Sequence, residues 1–316
     1  MNLSDKATFP GGIYMHIISE IYSHCVSIFG NIFFWMGLLG IIISLVESAR
    51  LRHYRKPPVS SGMKKIAVIT GASGGLGRGY VLALSQQMAS FDIDEFWLIA
   101  RSEDKLNALS DEIHVHTRIF PVDLTDESSY GLIERSLKSG NYQVLLLINS
   151  AGMGLSGTSE KIGNTVEQRM IKLNDSATVS MIQLCLPYMT AGSRIVNLAS
   201  IAGFQSMAGF NTYAASKAFI LNYSRALRQE LLPQKISVTA VCPYWVRDTG
   251  FIETASGHQS SPFLSAKTSS VVKRSLRAIK RRGLISTPSI VSFLDFILGR
   301  LFPDNVLSRI ASLLRV

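Results

Sequence analysis

Tyr213 and Lys217 stand four residues apart, and Ser200 precedes the tyrosine by thirteen. Residues at i and i+4 share one helix face, a turn from each other. An ammonium held there favours the phenolate, so the spacing predicts a tyrosine pKa lowered from about 10 towards neutrality, fit for both proton donation and acceptance. A strand is read over 194–199, and a serine at its end would hold a substrate oxygen against that phenol. A Tyr-x-x-x-Lys pair alone also fits a solvated helix face. Its chemical meaning comes from a segment far upstream.

There, the apolar run from Lys64 to Ile69 feeds into Thr70-Gly71-Ala72-Ser73-Gly74-Gly75-Leu76-Gly77, followed by a helical pattern to about Met88. Strand, glycine-rich turn and helix together bring backbone N–H groups and a helix N-terminus to a pyrophosphate. Glycines are required because a Cβ would block the turn and hold the phosphate away. Further strands are read near 95–100, 115–120, 143–149, 193–199 and 236–242, with helices between them. That alternation predicts an α/β fold: a Rossmann-like, doubly wound parallel sheet.

On these residues the sequence resembles the short-chain dehydrogenase/reductase family. Thr70, Gly71, Gly75 and Gly77 match its T-G-x-x-x-G-x-G cofactor motif, and Ser73 and Leu76 lie within the same turn. Asp123 and Leu124 follow the third strand, where the family contacts adenine. Asn149-Ser150-Ala151-Gly152 resembles the N-N-A-G at the end of the fourth strand. Asn174 matches the helix asparagine, Ser200 the active serine and Tyr213-Ala214-Ala215-Ser216-Lys217 the active helix. Pro243 through Thr249, with Val246 inside, matches the P-G-x-x-x-T region. The resemblance runs from about residue 63 to 249 and less distinctly to about 287. Two departures stand out: Ser150 replaces an asparagine, which should weaken one polar contact, and Tyr244-Trp245 put bulk where the family has a glycine.

The resemblance implies an oxidoreductase interconverting a ketone and a secondary alcohol. Tyr213 would be the proton donor, Ser200 its partner at the oxyanion, and Lys217 the modulator and ribose ligand. Asn174 would hold a water that links Lys217 to solvent. The second strand ends in Ala100, where an acidic residue would bind the ribose diol of NAD, and Arg101 follows it. A guanidinium suits a bidentate phosphate contact, so NADP(H) is the expected cofactor. An ordinary surface arginine pairing with Glu103 or Asp104 is the other reading.

The net charge of +10 is uneven. Residues 1–62 hold five basic and three acidic side chains, residues 63–262 hold 17 of each, and residues 263–316 hold ten basic and two acidic. A neutral catalytic body, with no recognised binding module in the basic tail, argues against nucleic acid as a partner. Cys25, Cys185 and Cys242 are odd in number and far apart, which fits a reducing compartment and no metal site. His114 and His116 alternate about a strand start as exposed polar positions.

Both ends point at a membrane. Val26 to Val46 is free of charge over 21 residues, and Arg50, Arg52, His53, Arg55 and Lys56 follow it. The length matches a bilayer span, and the flanking arginines place the catalytic domain on the cytoplasmic side. The organisation expected is an anchor and basic, proline-bearing linker over 1–62, a catalytic domain over 63–287 and an amphipathic extension over 288–316. Met63 is also a natural start for a soluble cytoplasmic dehydrogenase. Basic positions Lys273, Arg274, Arg277 and Arg281, and the apolar run from Ile290 to Leu301, fit helices in the headgroup region, or else a cover for the cleft or a dimer contact. The substrate expected is a lipophilic ketone or alcohol, steroid, fatty or retinoid-like. A polar ketone or 3-ketoacyl thioester, or a tethered NADP-binding protein without turnover, stand as alternatives. Long helices at about 161–189 and 211–232, apolar on more than one face, fit a homodimer.

Overall fold

Near-continuous apolar runs set the architecture, because only a sheet covered on both faces buries every side chain of a strand. In strand β1 (Lys64–Thr70) the last five residues are buried, in β2 (Glu95–Ala100) all six, and in β4 (Tyr142–Asn149) the last seven. With β3 (Thr117–Pro121), β5 (Arg194–Leu198), β6 (Ser237–Val241) and β7 (Ile285–Ser286) they form a seven-stranded sheet in the order β3-β2-β1-β4-β5-β6-β7. All neighbouring pairs are parallel. The computed structural model describes residues 62–256 and 265–301, Arg309 and most positions from 20 to 46.

Helices cover both faces. On one, α2 (Gly75–Ser85), α4 (Glu103–Ile113) and α11 (Thr268–Lys280) bury Tyr80, Leu84, Leu106, Val272, Leu276 and Ile279. On the other, α5 (Tyr130–Lys138), α8 (Ala177–Cys185) and α9 (Asn211–Leu231) bury Ile133, Leu137, Met181, Ile182, Leu227 and Leu231. The strand order reverses between β1 and β4, which opens a crevice at their carboxyl ends. Register then aligns the site: Thr70 pairs with Asn149, Asn149 with Asn197, and Leu198 with Val241. The loops that begin at Gly71, Ser150, Ala199 and Cys242 therefore leave the same edge of the sheet side by side.

The structure departs from the sequence reading in places. Strand β3 begins at Thr117, because His114 takes a left-handed conformation that ends α4; both His114 and His116 are exposed. The helix expected over 161–189 runs without a gap from Asn164 as α7 (Asn164–Ile171), a π turn (Lys172–Ser176) and α8, with Gly163 setting off the short α6 (Ser159–Ile162). Of the two readings of the basic tail, burial takes α11 into the body: Val272, Leu276 and Ile279 face the core, and the Tyr80 hydroxyl donates to Ser275 Oγ at 2.6 Å. Lys273, Arg277 and Lys280 remain outside. Between β6 and α11 the chain forms a short helix, α10 (Phe251–Ser256). Positions 257–264, positions 302–316 of the expected extension apart from Arg309, and Cys25 lie outside the described residues. Cys185 and Cys242 are free and buried.

The chain divides into two compact units, Met1–His53 and Tyr54–Val316. The first contains helix α1 (Tyr22–Gly40), 19 residues with a mean hydropathy of 1.3 and none of it buried. By length and composition it could cross a membrane. Helical positions continue at Ile42 and Val46.

Candidate active site

A cleft of about 790 Å3 runs along the carboxyl edge of the sheet. Gly71, Ser73, Gly75 and Leu76 line it from the β1–α2 turn, Arg101 from the end of β2, and Asp123 and Leu124 from the end of β3. Ala151 and Gly152 line it after β4, Ser200 after β5, Tyr213 and Lys217 from α9, and Pro243, Val246 and Thr249 after β6. Gly77, Asn149 and Asn174 lie behind this wall.

The glycines are placed as a dinucleotide cradle demands. Gly71 has φ +65°, and a Cβ on it would lie 2.8 Å from the Ala151 nitrogen. A Cβ on Gly77 would lie 2.2 Å from the Gly71 carbonyl oxygen, so helix α2 packs on its own turn only without a side chain there. Thr70 ties the two loops, its Oγ1 accepting from the Ser150 and Ala151 N–H groups, each at 3.0 Å. Asn149 works below the floor, donating to Asn197 Oδ1 at 2.9 Å, while its own Oδ1 is buried without a hydrogen bond.

At the far end of the cleft Arg101 is exposed beside Ser102 and Lys105, and it forms no ion pair with Glu103 or Asp104 among the described residues. Lys105 lies one helical turn on from Arg101 and was not singled out in the sequence; that spacing was the signal for it. Asp123 receives the Thr125 N–H and hydroxyl on one oxygen and Arg169 on the other. Burial works against its charge, but these hydrogen bonds, with Arg169 and Arg101 nearby, hold its carboxyl below the usual range.

Ser200, Tyr213 and Lys217 converge. The Ser200 hydroxyl is close enough to the Tyr213 phenol to act on its ionisation, and Ser200 Oγ accepts the Ala202 N–H at 3.2 Å. Lys217 Nζ donates to the Leu198 carbonyl at 2.9 Å and sits 5.5 Å from the centroid of the Tyr213 ring. The ammonium thus lies within electrostatic reach of the phenol without hydrogen-bonding to it. The expected lowering of the tyrosine pKa is nonetheless corrected. Burial pushes Tyr213 up to about 12, with the Ser200 hydroxyl opposing it, and burial pulls Lys217 down to about 8, with Asp175 and Cys242 opposing. Asp175, in the π turn, is in turn pushed up to about 7 by burial against the pull of Lys217. In this arrangement Tyr213 carries its proton at neutral pH and is a ready donor.

Asn174 is held by the protein on three sides. Its Oδ1 accepts the Met153 N–H at 2.8 Å, and its amide donates to the Met153 carbonyl at 2.9 Å and to Ser216 Oγ at 3.0 Å. Both amide hydrogens are spent on protein, so its side chain clamps the post-β4 strand to α9 behind Gly152. The π turn is what aims it inward.

An aromatic wall surrounds the phenol. Phe210 packs at 4.5 Å and Phe251 at 5.5 Å from the Tyr213 ring, and Trp245 lies 6.1 Å from Phe210 and 6.4 Å from Phe251. A Cβ on Gly154 would come within 2.8 Å of the Phe251 ring and 2.9 Å of the Tyr213 ring. None of Phe210, Trp245, Phe251 or Gly154 was marked as a site residue; they come from separate segments and share no spacing. Trp245 alone carries a signal in the sequence, as bulk where the resemblance has nicotinamide and substrate meet.

The family model described as short chain dehydrogenase matches residues 65–259. The chain is a short-chain dehydrogenase. It therefore belongs to a family of oxidoreductases that bind a nicotinamide dinucleotide and act on small molecules. The chain is 28% identical over 296 residues to a rat 17-beta-hydroxysteroid dehydrogenase type 3, covering 87% of this dehydrogenase and 92% of that protein. It is 32% identical over 191 residues to a bovine very-long-chain 3-oxoacyl-CoA reductase, covering 57% and 59%. Among solved structures, a short-chain dehydrogenase from Sphingobium yanoikuyae in complex with NADPH superposes with a TM-score of 0.64 at 28% identity, covering 75% of this chain and 93% of that one.

Proposed function

We propose that this short-chain dehydrogenase uses NADP(H) to interconvert a lipophilic ketone and its secondary alcohol at a membrane. The observation that carries the reading is the wall of Phe210, Trp245 and Phe251 around the Tyr213–Ser200 pair. Aromatic faces bury large apolar area at fixed geometry, which suits a bulky carbonyl compound better than a small polar one. A rat hydroxysteroid dehydrogenase and a bovine 3-oxoacyl-CoA reductase among the relatives span the two substrate shapes in question. The wall favours the ring-bearing or branched ketone, because its aromatic faces bury rings at fixed geometry.

When bound, the cofactor supplies the hydride for the carbonyl carbon. Tyr213 gives its proton to the carbonyl oxygen, and Ser200 shares the developing negative charge, a preorganised pair of hydroxyl donors. Lys217 stabilises the phenolate left behind and carries a second proton-bearing group to the cleft. Asn174, Ser216 and Met153 fix the lysine's surroundings. Gly71, Ser73, Gly75, Leu76 and Gly77 admit the pyrophosphate, with Ala151, Gly152, Val246 and Thr249 closing the nicotinamide end. The membrane part of the reading is supported by α1, which is long and apolar enough to span.

Arg101 and Lys105 form the cationic corner for a 2′-phosphate. The Arg101→Ala variant is expected to raise the KM for NADPH by about tenfold or more, the loss of one charge-assisted contact worth roughly 1.5–3 kcal/mol. The KM for NADH should change by less than about twofold. Steady-state kinetics with both cofactors reads this; equal effects would overturn the NADP assignment.

A further inference from the structure

Helix α12 (Ile290–Leu301) is inverted. Ser292 is fully buried, bonded to Ser289 at 2.7 Å, and Asp295 is turned inward to Gln205. The opposite face shows Ile290 at 74% exposure, Phe293 and Leu294 at 52%, Leu298 at 43% and Leu301 at 71%. These positions recur at i, i+3, i+4, i+8 and i+11, an apolar stripe with no charged side chain among the described residues. The inner side leans on the segment just after Ser200: the Phe296 and Phe204 rings are 5.3 Å apart.

Water is a poor neighbour for such a stripe. Twelve residues make about 18 Å of helix, too short to cross a hydrocarbon core but suited to lying in the interface. Positive charge flanks it. Residues 263–316 carry ten basic and two acidic side chains, so the net is 10 − 2 = +8. Arg274 donates to the Pro288 carbonyl at 3.0 Å, which places its guanidinium at the turn into α12, whereas Lys280 at the other end of α11 is turned to Gln87 and Phe91. Apolar face and cationic border together complement an anionic lipid surface rather than a second copy of the same basic segment, which would meet it with like charge. The same chain also holds α1, apolar enough to span.

We infer that the outer face of α12, with Arg274 at its start, docks flat on an anionic lipid monolayer beside the Ser200 segment. This goes beyond the catalytic reading and depends on none of its residue roles.

The full-length chain in vesicles of phosphatidylcholine with phosphatidylglycerol tests it by spin-label accessibility. In a Cys25→Ser background, Cys185 and Cys242 being buried, one label is placed by Leu294→Cys, a second by Leu298→Cys, and a water control by Asp111→Cys on exposed α4. The expected result is that both α12 labels lose accessibility to a water-soluble nickel chelate and gain it to oxygen, while the control does neither. Chelate accessibility at both α12 positions equal to the control would overturn the docking. So would dipolar broadening between α12 labels, which would assign the face to a second copy of the chain. Neither readout depends on turnover.

Discussion

Replacing Tyr213 by Phe removes one oxygen atom and should abolish turnover. General acid catalysis by a positioned group contributes about 10²–10⁴ in rate, so kcat for ketone reduction is expected to fall by roughly three orders of magnitude, about 4 kcal/mol of barrier. The ring itself packs between Phe210 and Phe251, and the variant keeps that packing, so the fold should hold. NADPH affinity should stay within about twofold, because the phenol lies by Ser200 rather than lining the glycine cradle. The pH profile carries a second signature. With the phenol at about 12 and Lys217 at about 8, wild-type reduction should be level at neutral pH and decline above about pH 8, where the ammonium that stabilises the phenolate is lost. Alcohol oxidation, which needs the phenol deprotonated, should rise with pH. Turnover by Tyr213→Phe at a wild-type rate would remove the tyrosine from the mechanism.

The second large effect is expected at Gly77. A Cβ there would lie 2.2 Å from the Gly71 carbonyl oxygen and 2.7 Å from its carbon. Both are backbone atoms, so no rotamer change relieves the overlap, and the turn that carries Gly71 and Ser73 must shift away from α2. Overpacking of this kind costs about 1–3 kcal/mol, and the Gly77→Ala variant should melt several degrees lower. Because the same turn presents its N–H groups to the pyrophosphate, the dissociation constant for NADPH should rise by at least about tenfold. Fluorescence titration with NADPH and a thermal melt read the two effects separately. Unchanged affinity would mean that this turn is not the cofactor cradle.

How much could be read from the sequence follows from how local each constraint is. Gly71, Gly75 and Gly77 were legible because a tight turn and a close helix approach each demand a missing Cβ at a fixed offset. Tyr213 and Lys217 were legible because helical geometry alone puts them on one face. The parallel sheet followed from the alternation of strands with helices. The protonation state of Tyr213 was not legible, since it depends on burial supplied by Phe210, Trp245 and Phe251 from separate segments. The π turn at Lys172–Ser176 leaves no mark on hydrophobic periodicity, yet it decides where Asn174 and Asp175 point. Strand β7, two residues long, is below the length at which alternation can be seen. Inversion of α12 was likewise hidden: its apolar run reads the same whichever face meets the protein.

The most direct test of the account is the kcat/KM of the full-length chain in lipid, with NADPH, for a neutral ring-bearing ketone against a 3-oxoacyl-CoA and a small polar ketone. The aromatic wall around Tyr213 and Ser200 predicts turnover of the ring-bearing ketone at least about a hundredfold above the small polar one, the difference of two buried aromatic contacts at roughly 1.5 kcal/mol each. Preference for the CoA thioester or for the small polar ketone would contradict it.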